Sequence, residues 1–461
     1  MTRGTADPLP RRLTVWSTGA VLVGSTIGSG IFRVPSVAAA EAGTVGAVVL
    51  LWVAGASLTL FGALTVAELA ALFPRAGGIY VYLDEAYGPL PAFLFGWTRL
   101  LVVQPALLGG IALIFAAYTD AFLPLTDLQV RLVAMAAILV LGAANYRSLG
   151  WGAAIQNLST AAKVVALVLL ALAVFALGDG EAGALAGRAG LRVPPSSWAG
   201  FGVALIAVLW AYDGWADATY MAGEVKDPER TMPRALIGGF LVVVAVYLLL
   251  NGAYLFALPL EVMAASELVA ADAASVVLGG LGASLVAALV MLSTFGALNG
   301  TMMSGPRVFW ALGRDGLFFR RIGAVHPRNR TPHVAIVLAT VLGIAYVSVR
   351  SFEELAQAFI LGLWPFFMLA VLAVFRLRRH RPNLRRPYRT WGYPAVPLLF
   401  LLVSAVMLLN ALVAQPVSTL YSFGIIASGL PVYWAWREWG PGSPGNRKEA
   451  GMGGNSEEPG L

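Results

Sequence analysis

Cysteine is absent from the 461 residues of the chain, and histidine occurs only three times. The lack of thiols excludes disulfides, thiolate metal sites and any partner subunit linked through sulfur. The three histidines, His326, His333 and His380, lie in or beside arginine-rich connections. We interpret them as solvated residues at the membrane interface. A histidine metal site is therefore not expected, and we predict no cofactor.

Charged residues are also scarce. They make up 12% of the sequence, whereas hydrophobic residues make up 59%. Soluble proteins contain about 25% charged and about 45–50% apolar residues, so this composition predicts a polytopic membrane protein. The formal net charge is +7, but the basic residues collect in alternate loops between apolar segments. That distribution sets topology in a lipid bilayer, and we expect no nucleic acid partner.

Apolar stretches of about 20 residues, the length that crosses a bilayer, recur along the chain. We predict twelve transmembrane helices, near residues 13–40, 45–72, 91–119, 129–146, 154–177, 199–222, 234–257, 275–304, 333–349, 354–375, 394–413 and 417–436. The loop 258–274 contains three acids and no Lys or Arg, so we assign it to the outside. Both termini are then cytoplasmic, in the inner (plasma) membrane.

The sequence is divided into one transmembrane domain, residues 1–440, and a tail, residues 441–461. The tail is rich in Gly, Pro, Ser and charged residues and has no apolar period. Such a composition is typical of disorder.

The first apolar segment contains the run Gly24-Ser25-Thr26-Ile27-Gly28-Ser29-Gly30. Each glycine inside a helix costs about 1 kcal/mol relative to alanine. We predict that this helix is broken at membrane depth, with its free backbone groups facing a cavity for a polar solute. The alternative is a groove of small residues for close helix packing, because Gly24 and Gly28 match that spacing.

The sixth segment has a similar anomaly, the run Trp210-Ala211-Tyr212-Asp213-Gly214-Trp215. An acid facing lipid there would cost about 2.5–3.5 kcal/mol, so Asp213 must face protein, water or solute. The two predicted breaks lie in helices 1 and 6, an offset of five helices, which is an odd number. A repeat of residues 13–177 by residues 199–375 would therefore be inverted across the membrane, with extra helices at 394–436. Such paired breaks point to the central site of a secondary transporter.

Several motifs together carry a resemblance to a known family. They are Gly24-Ser-Thr-Ile-Gly-Ser-Gly-Ile-Phe32, Glu68-Leu69 with Pro74-Arg-Ala-Gly-Gly-Ile-Tyr80, Ala161-Ala-Lys163, Trp210-Ala-Tyr-Asp-Gly-Trp215, Gly223-Glu-Val-Lys-Asp-Pro228 and Ser293-Thr-Phe-Gly-Ala-Leu-Asn-Gly300. The chain resembles the amino acid–polyamine–organocation superfamily, and most of all bacterial members of its L-type amino acid transporter family. The resemblance implies an all-α, leucine-transporter-like fold with a 5+5 inverted repeat and broken helices 1 and 6. It also implies an L-amino acid substrate held between the breaks.

Backbone groups at the breaks are the expected substrate ligands. The N-terminus of the outer half of helix 1 favours a carboxylate, which nominates Gly28, Ser29 and Gly30. Exposed carbonyls at the ends of the half-helices suit an ammonium, which nominates Thr26, Trp210 and Asp213. The ring of Trp210 corresponds to an aromatic gate in the family, although an ordinary packing role is the alternative.

Lys163 is the only lysine inside a predicted helix core. In sodium-coupled proteins of this fold an ion bridges helices 1 and 8, and the resemblance implies that Lys163 takes its place. We expect it to contact carbonyls near Gly24 and the hydroxyl of Ser293, and transport to be independent of sodium. The alternative is snorkelling of the side chain to an interface.

Alternative roles stay open for Asp213 and Arg33. Asp213 either caps the broken helix or helps to accept a cationic substrate side chain. Glu68 lies near the cytoplasmic end of helix 2. Arg33, a departure from the family pattern, either pairs with Glu41 or snorkels to the lipid interface. Ala216 is a second departure, because many relatives have Asn there.

The sequence thus predicts a carrier of small or medium neutral L-amino acids that works as an exchanger or with proton coupling. A cationic amino acid or polyamine carrier is the nearer rival and would require more acids near the cavity than Asp213 and Glu68. An integral membrane enzyme is a distant rival, since no paired catalytic groups are visible at one membrane face. A channel is disfavoured because the breaks lack a ring of like charges.

Overall fold

The structure is a computed structural model that describes residues 9–119, 122–178, 180, 197–266, 268–349, 352–414 and 416–439. The predicted tail, residues 441–461, lies outside the described residues. The helices are α1 Val15–Thr26, α2 Gly30–Ala42, α3 Val45–Leu72, α4 Ile79–Tyr87, α5 Pro89–Thr98, α6 Gln104–Thr119, α7 Asp127–Arg147, α8 Leu149–Leu177, α9 Trp198–Ala211, α10 Asp217–Tyr220, α11 Pro228–Ala257, α12 Leu260–Ala265, α13 Val269–Leu278, α14 Gly280–Ser304, α15 Pro306–Arg314, α16 His333–Val349, α17 Phe352–His380, α18 Ala395–Ala414 and α19 Pro416–Trp439.

The described part of the chain is all-helical, as predicted, apart from one isolated β-bridge between Leu13 and Val225. Within the described residues, eight helices or joined helices are long and apolar enough to cross a membrane, and α1 with α2 would form a ninth. Three further apolar helices are shorter, at Gly200–Ala211, Val269–Leu278 and His333–Val349. The fold is that of a membrane protein, and the count of twelve crossings stays a prediction.

Local sequence signals explain where several helices begin. Thr44 and Ser148 are N-caps whose hydroxyl oxygens accept a backbone N–H of the first turn, from Ala47 and Gly150. Thr126 forms a capping box with Gln129. These contacts satisfy donors that a helix leaves without an internal partner. In a bilayer such donors have no water to bind, so each cap contributes more to the stability of its helix.

The third span is continuous from Pro89 to Thr119 but contains a π-helical turn, Arg99–Val103, between α5 and α6. Such turns are rare and often occur at functional sites. The turn leaves backbone carbonyls that other helices can use, and the hydroxyl of Tyr346 on α16 donates to the carbonyl of Leu101.

The interrupted helices lie inside the bundle rather than at its edge. The half-helices α2 and α9, which the predicted topology places on the outer side, pack on each other, and α1 packs on α8, α11 and α14. Because neighbouring helices surround α1, its polar run is shielded from lipid. The residues predicted to form the site therefore lie where these helices meet.

Candidate functional site

The two helix breaks lie against each other. α1 ends at Thr26 and α2 begins at Gly30, with a bend of 44° between them. α9 ends at Ala211 and α10 begins at Asp217. Gly214, in the second break, has φ +100°, and a Cβ atom there would lie 2.8 Å from the Thr26 nitrogen. Glycine is needed at this position because both the left-handed backbone and the close approach exclude a side chain.

The N-terminus of α2 offers a site for a carboxylate. Ser29 is its N-cap residue and lines an outer cavity, and Gly30 is its first helical residue. The first N–H groups of a helix have no partner within it. Gly28 differs from the expectation, because its N–H donates to the carbonyl of Thr26 at 2.9 Å. Of the three residues predicted to bind the carboxylate, Ser29 and Gly30 therefore stay candidates in this state.

Two of the carbonyls nominated for the ammonium are already occupied. Thr26 oxygen accepts the N–H of Gly28 and the hydroxyl of Tyr247, the latter at 2.8 Å. Trp210 oxygen accepts the N–H groups of Tyr212 and Asp213. A carbonyl has two lone pairs, so neither oxygen has capacity left for an ammonium in this state.

Tyr247 on α11 was not singled out from the sequence. Its hydroxyl is within hydrogen-bond distance of the Thr26 carbonyl at 2.8 Å and the Ala211 carbonyl at 3.0 Å. Tyr247 thus contacts the last residue of α1 and the last residue of α9, where the two broken helices stop. A tyrosine in an apolar segment carries no signal of such a role.

Lys163 on α8 is fully buried and its ammonium group reaches three backbone carbonyls. Nζ lies 2.8 Å from the Gly24 oxygen, 2.6 Å from the Ile27 oxygen and 2.9 Å from the Ser293 oxygen. An ammonium has three N–H donors, so each has an acceptor. The side chain links α8 to the end of α1, the first break and α14, and it does not extend to an interface.

The contact with Ser293 differs from the expectation in one respect. Lys163 binds the backbone carbonyl of Ser293 rather than its hydroxyl. The hydroxyl donates instead to the carbonyl of Ile27 at 3.0 Å. The oxygen atoms of Gly24, Ile27 and Ser293 therefore surround one point between α1 and α14, and the lysine occupies it.

Trp210 lies one residue before the end of α9, and its ring is half-buried against the core. Asp213 is half-buried in the second break, and Ala216 is buried just before α10. The position of Trp210 at the break is compatible with a gate and with packing, so its role stays a prediction.

A buried ion pair at the start of α10, just after the second break, was missed from the sequence. Arg99, in the π-helical turn, and Asp217, the first residue of α10, lie 3.6 Å apart. Arg99 also donates to the Tyr220 hydroxyl at 3.1 Å, and its guanidinium lies 4.2 Å from the centre of that ring. The sequence did contain an indication of this pair, because Arg99 falls within an apolar segment and Asp217 follows Asp213 by four residues.

Glu68 is not a cavity acid. Its buried carboxylate accepts two bonds from Arg378, at 3.0 and 2.6 Å, and the backbone and hydroxyl of Thr390, at 2.7 and 2.8 Å. Arg386 lies 3.4 Å away. Glu68 therefore joins the end of α3 to the connection after α17 and is not available to a substrate.

A second buried pair lies at the other end of α10. Glu224 accepts from Nε and Nη2 of Arg307, at 2.7 and 3.2 Å. Its backbone carbonyl accepts the N–H groups of Arg12 and Leu13. These contacts hold the segment before α1 against the segment after α10.

A cavity of about 640 Å³ lies on the side of the breaks away from the Arg99–Asp217 pair and reaches Ser29 at the first break. Its walls come from α2, α6, α13, α14 and the connection that contains Ser266 and Leu268. The predicted outer loop 258–274 thus forms part of its rim. Arg33 lines this cavity.

Comparison with known proteins places the whole chain among transporters. A family model described as amino acid permease matches residues 13–436. The chain is 32% identical over 422 residues to the serine/threonine exchanger SteT of Bacillus subtilis (strain 168). The aligned region covers 91% of this chain and 95% of SteT. It is 33% identical over 424 residues to the b(0,+)-type amino acid transporter 1 of Mus musculus, covering 90% and 85% of the two chains. It is 30% identical over 440 residues to the cystine/glutamate transporter of Homo sapiens, covering 94% and 86%.

Proposed function

The chain belongs to the amino acid permease family, and from that membership we propose that it exchanges L-amino acids across the plasma membrane by alternating access. It is an amino acid transporter of the amino acid–polyamine–organocation superfamily and resembles the L-type transporters. The relatives named above are transporters or exchangers, which favours transport over catalysis.

One observation carries the location of the site. The two broken helices touch at Gly214 and Thr26, and the outer cavity ends beside them at Ser29. A cavity that leads to free backbone groups at membrane depth is what a polar solute requires. The substrate carboxylate binds at Ser29 and Gly30, and its ammonium binds near Asp213. The carbonyls of Thr26 and Trp210 contribute only after their present donors move.

The proposed topology has twelve transmembrane helices, with residues 13–177 and 199–375 as inverted repeats and 394–436 as two added helices. Both termini are cytoplasmic. The support is that each interrupted helix holds the corresponding place in its half, with an offset of five predicted helices from one to the other. A leucine-transporter-like arrangement also accounts for the packing of α1 between α8 and α14.

Small or medium neutral amino acids are the proposed substrates. The acids near the breaks are Asp213 and Asp217, and Arg99 compensates the charge of Asp217. Glu68 is bound to arginines. One uncompensated acid is weak support for the rival, a cationic amino acid or polyamine carrier. The relative SteT is named as a serine/threonine exchanger, which also favours a neutral substrate.

Transport is proposed to be independent of sodium and to occur by exchange. Lys163 fills the point among three carbonyls where a cation would otherwise bind, and its ammonium repels a second cation. All three of its N–H donors are bound. This favours a lysine that stays protonated and charged through the cycle over one that releases its proton to couple transport.

Uptake of labelled L-serine into proteoliposomes tests the proposal. Exchange predicts rapid uptake into vesicles that contain L-serine and little uptake into empty vesicles. Strong uptake into empty vesicles under a pH gradient would establish proton coupling instead. A thermal-shift screen with the twenty amino acids identifies the substrate, because a ligand at 100 times its Kd stabilises the fold by about 2.7 kcal/mol.

A further inference from the structure

A second cavity lies outside the proposed substrate site, as a groove where α1, α8 and α11 pack on one another. Its volume is about 690 Å³. Several of its lining side chains are exposed, among them Trp16 at 84% and Val165 at 57%. Because they belong to membrane-spanning helices, the groove opens towards lipid.

The groove has a polar end and an apolar end. Its wall on α1 extends from Val15 to Val23, and its wall on α11 extends from Arg234 to Val242. Each wall covers eight residue steps, roughly 12 Å of helix at 1.5 Å per residue. Among the described residues that line the groove, Arg234 carries the only formal charge. The groove thus has the polarity of a lipid, with a charged head and an apolar chain.

Two glycines keep the groove open. A Cβ atom at Gly19 or at Gly238 would meet no atom within 4 Å, so both residues border empty space. At the neighbouring Gly239 a Cβ would lie 3.3 Å from Leu22, so this glycine packs α11 on α1 instead. Apolar walls beside a void lose dispersion contacts. A chain of methylene groups in the groove would restore them.

Basic side chains collect at the polar end. A β-bridge joins Leu13 to Val225, and the N–H of Lys226 donates to the Leu13 carbonyl at 2.8 Å. The starts of α1 and α11 are therefore held side by side. The exposed basic residues of these two starts are Arg11, Arg12, Lys226, Arg230 and Arg234.

The acids of the same segments do not balance this charge. Glu224 belongs to the buried pair described above, and Glu229 lies 3.7 Å from Arg385. Asp227 adds one negative charge against five positive ones. The first eight residues lie outside the described part of the chain and contain one arginine and one aspartate, which cancel in formal charge.

We propose that this groove binds an anionic phospholipid, with the phosphate at Arg234 and one acyl chain along Gly19 and Gly238. Basic clusters beside transmembrane helices attract anionic headgroups, and basic pockets between such helices bind them. A guanidinium also matches the geometry of a phosphate group. The exposed indole of Trp16 lies at the same end, where tryptophan favours the headgroup level of a bilayer. The predicted topology places this end at the cytoplasmic leaflet.

Native mass spectrometry of the purified full chain tests the headgroup. The probes are phosphatidylglycerol and phosphatidylcholine with identical acyl chains. In the wild type the first phosphatidylglycerol should bind with a Kd about tenfold below that of phosphatidylcholine, and Arg234→Gln should reduce this ratio about fivefold, the contribution of one basic residue. Arg379→Gln removes an exposed arginine at the end of α17, outside the groove wall, and should leave the ratio unchanged.

A second pair of variants tests the acyl chain. Gly238→Leu fills the groove and should weaken the binding of both lipids. Gly424→Leu is its control, because a Cβ at that α19 glycine also meets nothing within 4 Å. If Gly238→Leu fails to fold, Gly238→Cys provides the only thiol in this cysteine-free chain. Phosphatidylglycerol should then slow its reaction with a thiol reagent more than phosphatidylcholine does.

The outcomes decide between this groove and a general attraction to the basic surface. Equal Kd values for the two lipids in the wild type, or a preference that survives Arg234→Gln, overturn the proposal. An equal loss in Arg379→Gln also overturns it, because the charge would then act over the whole surface. A preference lost in Arg234→Gln, with weaker binding in Gly238→Leu and normal binding in Gly424→Leu, supports it. Amino acid exchange is tested separately, since the groove shares no residue with the proposed substrate site.

Discussion

The guanidinium of Arg99 and the carboxylate of Asp217 lie 3.6 Å apart, and both side chains are almost completely buried. Asp217 also accepts the hydroxyl of Ser304 on α14 at 3.0 Å. The first residue of α10 is thereby connected to the third span and to α14. Nε and Nη2 of Arg99 have no hydrogen-bond partner within the described residues. The pair is an ionic contact across the inner side of the site rather than a saturated network.

We expect this contact to close the pathway towards the cytoplasm. Alternating access requires the contacts on one side of the site to part while those on the other side form. In this structure the cavity and the Arg99–Asp217 pair lie on opposite sides of the breaks, and the predicted topology places the cavity outside and the pair inside. Removing one partner of a buried pair costs about 3–5 kcal/mol, because a charge is left uncompensated.

The first prediction is therefore a strong coupling between these residues. Arg99→Gln and Asp217→Asn are each expected to lower the thermal stability and the transport rate strongly. The double variant is expected to recover much of the stability, with a coupling energy within about 0.5–3 kcal/mol in a double-mutant cycle. Additive effects in the cycle would show that the two residues do not act as a pair.

The absence of cysteine provides a direct readout of inner opening. A single cysteine at Ala218, which is buried beside the pair, is expected to react slowly with a thiol reagent. In the Arg99→Gln and Asp217→Asn double variant it should react several times faster, because the inner contact no longer holds. Unchanged reactivity would contradict the closing role.

The second prediction concerns the glycines of the first break. A Cβ at Gly30 would lie 2.7 Å from Cα of Ala211, so α2 and α9 would have to separate. A Cβ at Gly28 would meet Ala297 at 3.5 Å, an ordinary contact. Gly30→Ala should therefore lower uptake at least tenfold, whereas Gly28→Ala should change it by less than threefold. Equal effects in uptake assays would show that packing of α2 on α9 does not limit transport.

The contrast between these glycines shows what the sequence can and cannot predict. A cluster of glycine and hydroxyl residues predicted the first break, and an acid beside a glycine predicted the second, because such residues are costly inside a helix in lipid. The sequence did not reveal which backbone groups remain unpaired. Gly28 and Thr26 bond to each other, and the Tyr247 hydroxyl reaches Thr26 from α11, a span far away in sequence.

Charged residues show the same limit. Lys163 stood out because it is the only lysine inside a predicted helix core. The family resemblance then implied which backbone groups it would contact. The roles of Arg99 and Asp217 can be inferred only from their contact with each other. That contact depends on how α10 packs in three dimensions. Glu68 was weighed as a cavity acid because the sequence does not show the fold of the connection that brings Arg378 and Thr390 to it.

The third prediction addresses Trp210. Its ring is half-buried at the end of α9 and is not required for the helix to cross the membrane. Trp210→Ala should reduce the transport rate at least tenfold while lowering thermal stability much less, and Trp210→Phe should retain more of the rate. If uptake and substrate affinity are unchanged in Trp210→Ala, the ring packs and does not gate.

The last prediction tests the role of Lys163 as a fixed cation. Replacing sodium with choline should leave wild-type uptake unchanged, because the ammonium occupies the point among the Gly24, Ile27 and Ser293 carbonyls. Lys163→Ala should slow transport and reduce stability, since each buried carbonyl left without a donor costs about 1–3 kcal/mol.

The alanine variant also opens space lined by those three carbonyls, with the Ser293 hydroxyl close by. Sodium is expected to stabilise Lys163→Ala in a thermal-shift assay and to leave the wild type unaffected. Lys163→Met fills the space with an apolar side chain, so sodium and choline should give it the same thermal stability. Sodium-stimulated uptake by the wild type would refute the role given to Lys163. A response confined to Lys163→Ala would show that the lysine occupies a cation site and so removes the need for an external ion.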